Sequence, residues 1–246
     1  MGLSGWARVF PCLLAGVLFG AGPAHAGPIF AIPSDLKDAA FRSDNSWDDR
    51  FKTGRIGSWE GEPAGSRSVM YAFQLPKREP GFSQVVAAAL TFTVVQDLGH
   101  TYDIDLHGLP ARAAPQAREQ DNFLGGPLDP DAILIQQAIL PASAGAPGTI
   151  ARPVTTGGAG NANLVAYLNA QYGPTGAGGG QYVLLRLNPD VLPPIELSGV
   201  TVNMADNAGG GGTPVLTIQF VPEPSAALAA AVGLGLSALG RRGRRR

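Results

Sequence analysis

The chain has little of what covalent or metal stabilisation requires, with one cysteine and three histidines among its 246 residues. The cysteine, Cys12, lies in an N-terminal stretch that has the features of a cleaved leader. The rest of the chain therefore has no disulfide bond, and a zinc site of the cysteine and histidine type is not expected in it. Its stability must come from a hydrophobic core, and about 195 residues are enough to bury one.

The signatures of common enzyme classes are also missing. Neither His-Glu-x-x-His nor Gly-x-Ser-x-Gly occurs in the chain. The glycine-rich runs 176–180 and 209–212 lack the Gly-Lys-Ser/Thr ending of a phosphate-binding loop, so we interpret them as turns. Only His100 and His107 follow the leader, so a serine-histidine-aspartate triad is not expected, although composition alone does not exclude one.

The formal net charge of −1 hides an uneven distribution along the chain. Without Arg8 and the terminal arginines, residues 27–221 hold 12 basic residues against 18 acidic ones, a net charge of about −6. Nucleic-acid binding needs a basic surface, so a nucleic acid is not an expected partner. Cations, basic ligands and neutral glycans are compatible with this charge.

Residues Met1–Ala26 have the three parts of a secretory signal peptide. Arg8 supplies the positive charge, residues 13–20 form the apolar core, and Ala24-His25-Ala26 is a small-x-small cleavage site. The stretch is too short and too rich in glycine to be a convincing transmembrane helix. We expect export through the Sec machinery and cleavage after Ala26.

The C-terminal segment 221–246 also has three parts. It begins with Val221, Pro222, Glu223 and Pro224. Residues 225–240 carry no charge, and they are followed by Arg241, Arg242, Arg244, Arg245 and Arg246. Sixteen apolar residues fall short of the roughly 20 that span a bilayer, which fits a transient anchor better than a permanent one. The alternative is a buried core helix with a solvated basic end.

This order of parts closely resembles the PEP-CTERM sorting signal of Gram-negative bacteria, over about a tenth of the chain. In that family an exosortase, an integral-membrane enzyme resembling cysteine transpeptidases, recognises the tail. The resemblance implies a precursor held transiently in the inner membrane, with its arginines on the cytoplasmic side. It also implies removal of the tail and delivery to the cell surface or an exopolysaccharide matrix.

Glycine and proline, 34 and 21 residues, separate short runs of β-forming residues in the body, as in an all-β domain. Apolar alternation and short apolar runs predict seven main strands, near residues 68–76, 85–96, 101–108, 133–140, 181–187, 200–204 and 214–220. A shorter strand is predicted at 39–42, with long loops after it to residue 62. Residues 110–130 and 141–160 are also predicted to be loops.

One segment, 163–172, has helical periodicity, set by Leu164, Tyr167, Leu168 and Tyr172. Asn161 or Asn163 is its predicted N-cap, and Gly173 its stop. Strands, long loops and one short helix together predict an all-β, jelly-roll-like β-sandwich over residues 27–220.

Local motifs in the body resemble those of carbohydrate-binding jelly-roll modules and of PEP-CTERM surface proteins of planctomycete type. The segments that carry the resemblance are 71–76 (Tyr-Ala-Phe-Gln-Leu-Pro), 88–92, 103–108 and 163–172. This likeness supports the fold more than any particular ligand.

Two oxygen-rich stretches are candidates for binding Ca²⁺, which prefers oxygen ligands. Asp103 and Asp105 share a strand face with His107, and they could bind Ca²⁺, act as an acid/base pair, or form an ordinary solvated face. The loop with Asp44, Asn45, Asp48 and Asp49 lacks the spacing and the glycine of an EF-hand. A solvated surface is the simpler interpretation of both.

Trp47 and Trp59 lie in loop-like sequence among charged residues. Exposed tryptophans stack on sugar rings, whereas buried ones would close one end of the sandwich. The sequence therefore predicts an exported, non-enzymatic surface or matrix protein. The alternative is a carbohydrate-binding module or a glycan-active enzyme that is delivered to the same place.

Overall fold

The computed structural model of the chain describes residues 27–42, 46–49, 52–58, 67–78, 82–122, 132–143, 148–191, 198–207 and 212–222. The predicted leader and the apolar and arginine parts of the sorting segment lie outside these ranges. Within them, two antiparallel sheets and one α-helix form a sandwich-like all-β fold. The all-β prediction is confirmed.

The elements follow one another along the chain in this order. They are β1 (Ile29–Pro33), β2 (Ala39–Phe41), β3 (Trp47–Asp48), β4 (Thr53–Ser58), β5 (Val69–Gln74), β6 (Phe82–Asp97), β7 (Ile104–Arg112), β8 (Ile133–Leu140), β9 (Gly148–Thr155), α1 (Gly158–Tyr172), β10 (Tyr182–Pro189), β11 (Ser198–Asn203) and β12 (Val215–Pro222). A 3-10 turn occupies Glu119–Asp121.

The strands form two six-stranded sheets. Sheet I has the order β1-β12-β6-β11-β4, and β9 also pairs with β6. Sheet II has the order β3-β2-β5-β10-β7-β8. The long strand β6 pairs with β12 over its first part and with β9 and β11 over its last part. Strand β10 is central in sheet II and is buried on both faces from Val183 onward, as its continuous apolar run predicts.

The main core lies between the two sheets. Tyr71 and Phe73 of β5 face Leu90, Phe92 and Val94 of β6, and the rings of Tyr71 and Phe92 are 6.1 Å apart. These side chains are at most 1% exposed, so the core-facing positions predicted for both strands are confirmed. Each such side chain contributes about 1.5–3 kcal/mol through removal of apolar surface from water.

The other face of sheet II is also covered. A second apolar cluster there contains Ala39, Phe41, Met70, Ala72, Leu109, Ala117 and Leu184. Ala117 comes from the segment between β7 and the 3-10 turn, so this segment packs on the sheet. Both faces of β5 are therefore buried, whereas its alternation predicted only one buried face.

The predicted helix exists but begins five residues earlier than predicted. Its N-cap is Gly157, which has no side chain to bond the first turn, so neither asparagine is the N-cap. Gly173 ends the helix with a φ of +65°, a conformation that favours glycine, as predicted. The four predicted apolar positions of the helix are buried.

Polar side chains of α1 cover an edge of β6. β9 pairs with β6 only from Thr91 onward, and Thr156 continues the ladder by exchanging hydrogen bonds with Leu90 at 2.9 and 3.0 Å. Further along, the Asn169 carboxamide accepts from the Val85 N–H and donates to its carbonyl, both at 2.9 Å. The helix thus acts as a substitute strand, and this satisfies backbone groups that an exposed edge would leave unpaired.

Several segments predicted as loops are strands. These are 47–48, 53–58, 110–112 and 148–155. β4 and β9 were not predicted because they contain glycine and proline, which usually interrupt strands. Gly57 adopts a φ of +106° in β4. Pro153 lies in β9, which pairs with a single neighbour among the described strands. Proline is tolerated in such edge strands, because its missing N–H faces away from the ladder.

No helix in the described part of the chain is long and apolar enough to cross a membrane. The predicted membrane segment, 225–240, lies outside that part.

Candidate functional site

The end of β12 contains the first two residues of the predicted sorting motif. Val221 pairs with Gln84, and Pro222 pairs with Phe82, so the strand ends two residues later than the predicted 214–220. Both residues are extended, as expected for this motif. The rest of the motif, Glu223 and Pro224, and the arginines of the tail lie outside the described residues.

The start of the body lies beside its end. In the antiparallel β1–β12 ladder Ile29 is opposite Gln219, and the Phe220 N–H donates to the Pro28 carbonyl at 3.4 Å. Continuing this register places Gly27 opposite Val221, at roughly the 5 Å spacing of neighbouring strands. The chain therefore enters and leaves the body at one end of sheet I. We call this the exit end and define it by Gly27, Ile29, Val86 and Val221.

An aromatic cluster holds the last strand in place at the exit end. Phe220 packs edge-on against Phe30 at 5.7 Å and against Tyr172 of α1 at 5.5 Å. Phe220 is 2% exposed, so the strand is anchored in the core one residue before Val221. The folded body therefore reaches directly into the predicted sorting motif.

The two aspartates considered as candidates for a calcium site or an acid/base pair both accept hydrogen bonds from backbone N–H groups. Asp103 Oδ1 accepts from the Ala142 N–H, and Asp105 Oδ1 from the Ala138 N–H, both at 2.8 Å. Burial raises the pKa of Asp105, with the charges of Asp190 and Asp103 adding to the effect and the Ala138 bond opposing it. Asp105 is 8% exposed, so the expectation of a solvated face is wrong at this position. The two carboxylates fix the irregular pairing of β8 with β7.

Beside Asp105, sheet II contains a buried cation that the sequence analysis did not single out. Arg186 is 1% exposed; its Nε donates to Asn188 at 3.1 Å and its Nη1 to the Asp121 carbonyl at 2.8 Å. Arg112 forms an ion pair with the Asp121 carboxylate at 2.9 Å. The only sequence signal for this buried cation is the position of Arg186 inside an apolar run. An arginine at such a position indicates that a polar segment packs over the sheet. The protein's own chain thus covers this face.

At the end of β6, the side chain of its last residue, Asp97, meets those of His100 and Ser143. His100 Nδ1 lies 3.2 Å from the Asp97 carboxylate and 3.3 Å from the Ser143 hydroxyl, which donates to Asp97 at 3.1 Å. In a catalytic triad the carboxylate and the hydroxyl bind different ring nitrogens. Here both approach Nδ1, and Nε2 is buried without a hydrogen-bond partner. This arrangement joins two chain segments and is not that of a triad.

A buried carboxylate near the end of β11 has an unusual environment. Asp38 is 1% exposed; its Oδ2 accepts from the Ala205 N–H at 2.6 Å and from the Ser34 hydroxyl at 3.4 Å, while Oδ1 has no hydrogen-bond partner. Burial raises the pKa of Asp38 to about 7; the bonds from Ala205 and Ser34 oppose the rise, and the charges of Asp206 and Asp35 add to it. Its charge in the folded protein therefore changes near neutral pH.

The predicted aromatic sites are only partly described. Trp47 lies in the edge strand β3, opposite Phe41, and is 37% exposed, so it does not close the end of the sandwich as a core residue. Trp59 lies outside the described residues. In the neighbouring acidic loop, Asp49 accepts from Lys37 at 2.7 Å, and Asp44 and Asn45 are likewise outside the described part.

No set of three or more histidine, cysteine, aspartate or glutamate side chains that could hold a metal ion occurs in the described ranges. Comparison of the sequence with protein-family models and with curated proteins finds no match.

Proposed function

We propose that this chain is an exported cell-surface or extracellular-matrix protein that is delivered through residues 221–246 as a PEP-CTERM sorting signal. The observation that carries the proposal is the exit end, where Ile29 pairs with Gln219 and the last strand runs into Pro222. Both predicted targeting segments attach to one end of the body. A body of this shape can be held at a membrane by either segment without a change in its fold.

The order of events follows from this arrangement. The leader engages the Sec machinery and is cleaved after Ala26. Residues 225–240 then enter the inner membrane as a transient anchor, with the arginine cluster on the cytoplasmic side. Glu223 and Pro224 of the Pro-Glu-Pro motif lie between the bilayer and the end of β12, where an exosortase-type transpeptidase removes the tail.

For the body we propose a jelly-roll-like sandwich with a structural or adhesive role. The first and last strands are neighbours in sheet I, and successive strands from β4 to β7 alternate between the two sheets, which supports a jelly-roll arrangement. A non-enzymatic role is supported by the histidine cluster, because its serine and aspartate share one ring nitrogen.

Glycan binding is the second candidate function, with an exopolysaccharide as the partner. The observation in its favour is the 37% exposure of Trp47 on the edge strand β3. Exposed tryptophan offers a flat apolar face to a sugar ring. The body's negative charge favours a neutral glycan over an acidic one.

The sorting proposal is tested by a variant of the motif. In cells that contain an exosortase, Pro224→Ala combined with Glu223→Gln should accumulate as the unprocessed form in the inner-membrane fraction. Thr217→Ser, a conservative change in the same strand, serves as the control and should be processed like the wild type. Equal processing of the motif variant and the control would contradict the proposal.

A further inference from the structure

The exit end exposes apolar side chains. Ile29 is 65% exposed and Val86 is 44% exposed. Ile29, Gln219 and Ala87 are successive partners across β1, β12 and β6, so Ile29 and Val86 lie roughly 10–15 Å apart. Two large apolar groups are thus in contact with solvent within a short distance of both points where the chain leaves the body.

The sequence that adjoins the exit end carries balanced charges. Lys77 and Arg78 lie in the connection to β6, and the Arg78 guanidinium is 5.6 Å above the ring of Tyr172. Glu79 follows them in the sequence, and Glu223 follows the end of β12. The formal charges of these four residues cancel, so an ionic attraction to a surface is not the main force at this end.

Acidic residues occupy the opposite end of the body. Asp97 ends β6, Asp103 precedes β7, and Asp190 follows β10, where its N–H donates to the Asp103 carbonyl at 2.9 Å. The strands concerned run between this acidic end and the exit end. A body with a negative net charge therefore turns its neutral, apolar end toward the two chain exits.

We propose that in the anchored precursor the exit end lies on the outer surface of the inner membrane, with Ile29 and Val86 in the interfacial region of the bilayer. Apolar side chains are stabilised in this region, whereas carboxylates are destabilised there, so the acidic end faces away from the membrane. This inference rests on the proposed sorting function, because the tail is what holds the body at the membrane.

The tether makes such a weak contact significant. Two side chains alone bind a bilayer weakly and reversibly. The tail begins directly after Pro222, so the contact is intramolecular, with an effective concentration on the order of millimolar. Removal of the tail abolishes this advantage, and the contact then dissociates. The same surface thus keeps the precursor in place and does not hinder release of the processed protein.

The test uses the exported chain with its tail intact, residues 27–246, which contains no cysteine, in phosphatidylcholine nanodiscs. An environment-sensitive fluorophore is attached through Val86→Cys in one protein and through Leu36→Cys in a matched control. Leu36 is 63% exposed and follows the other end of β1. We expect a blue-shifted emission and quenching by lipid-borne quenchers at position 86 but not at position 36. We also expect loss of the shift at position 86 when Ile29→Asp is added, and no loss when Leu36→Asp is added.

Each other outcome has a defined meaning. A solvent-like spectrum at position 86 on a nanodisc-bound chain overturns the docking and leaves the sorting proposal standing. A shift that requires phosphatidylglycerol shows an ionic contact and overturns the apolar one. A shift that grows with protein concentration in detergent shows a second copy as the occupant. Failure of the chain to resist carbonate extraction from the membrane counts against the anchor itself, and this is measured separately from the fluorescence.

Discussion

Gly54 of sheet I packs against Val69 of sheet II so closely that a β-carbon at position 54 would overlap Val69 Cγ2 and lie 2.8 Å from Met204 Sδ. We predict that Gly54→Ala lowers the free energy of unfolding by about 1–3 kcal/mol, because the core must shift to accommodate the methyl group. Urea denaturation measures the change.

A double-mutant cycle with Val69→Ala serves as the control for this prediction. Because the smaller side chain at position 69 makes room, the double variant should be more stable than the sum of the two single effects implies. Strictly additive effects would show that overlap with Val69 does not cause the loss of stability in Gly54→Ala.

We expect the Asn169 carboxamide to contribute more to the free energy of unfolding than a surface polar group does. Asn169→Leu removes both of its hydrogen bonds to Val85 and leaves two backbone groups of β6 without their partners. We predict a loss of about 1–3 kcal/mol in unfolding free energy and faster hydrogen exchange at the Val85 amide. Ala170→Leu, at an exposed position of the same helix, should stay within about 0.5 kcal/mol of the wild type. An unchanged exchange rate at Val85 in Asn169→Leu would refute the strand-substitute role of the helix.

The raised pKa of Asp38 predicts that the stability of the fold depends on pH. Its pKa is raised from 3.8 to about 7 in the folded protein, so between these values the folded state binds a proton that the unfolded state has lost. The contribution of protonated Asp38 to the stability of the fold is complete below pH 3.8, and it is lost as the pH rises through about 7. A shift of this size corresponds to a free energy on the order of 4 kcal/mol.

Asp38→Asn isolates this contribution. The difference in unfolding free energy between wild type and variant should move in favour of the variant from pH 4 to pH 8. The raised pKa of Asp105 acts with the same sign, but it is present in both proteins and cancels. A difference that does not change with pH would mean that Asp38 does not titrate in this range.

Trp47 is the described residue on which the proposed glycan binding would depend. If the second candidate function holds, a polysaccharide column retains the exported protein, and Trp47→Ala abolishes this retention. Trp47→Phe preserves part of the aromatic face and should retain part of the binding. No retention of the wild type, with or without Ca²⁺, would exclude glycan binding by this body.

Strong periodicity allowed much of the fold to be predicted. Apolar runs such as 133–140 and 181–187 correspond closely to β8 and β10, and the spacing of Leu164 and Tyr172 locates α1. β4 could not be predicted in this way. Its Gly54 is required by contact with the other sheet, and such a requirement is visible only after folding. The same holds for Pro153, which is acceptable because β9 pairs on one side alone.

The candidate sites were less predictable than the strands. Sequence alternation placed Asp105 on a polar face, but it could not show that a bulged neighbour would bury the carboxylate and donate to it. Arg186 is another example, because one of its partners, the Asp121 carbonyl, is 65 residues away in the sequence. The juxtaposition of Ile29 and Gln219, which defines the exit end, is likewise a product of the sheet order.

The sorting proposal is tested by mass spectrometry of the termini of protein recovered from the cell surface. We expect Gly27 at the N-terminus and a C-terminus that lacks the arginine cluster 241–246. Surface material with the intact arginine cluster would contradict the sorting account and leave a plain membrane anchor in its place.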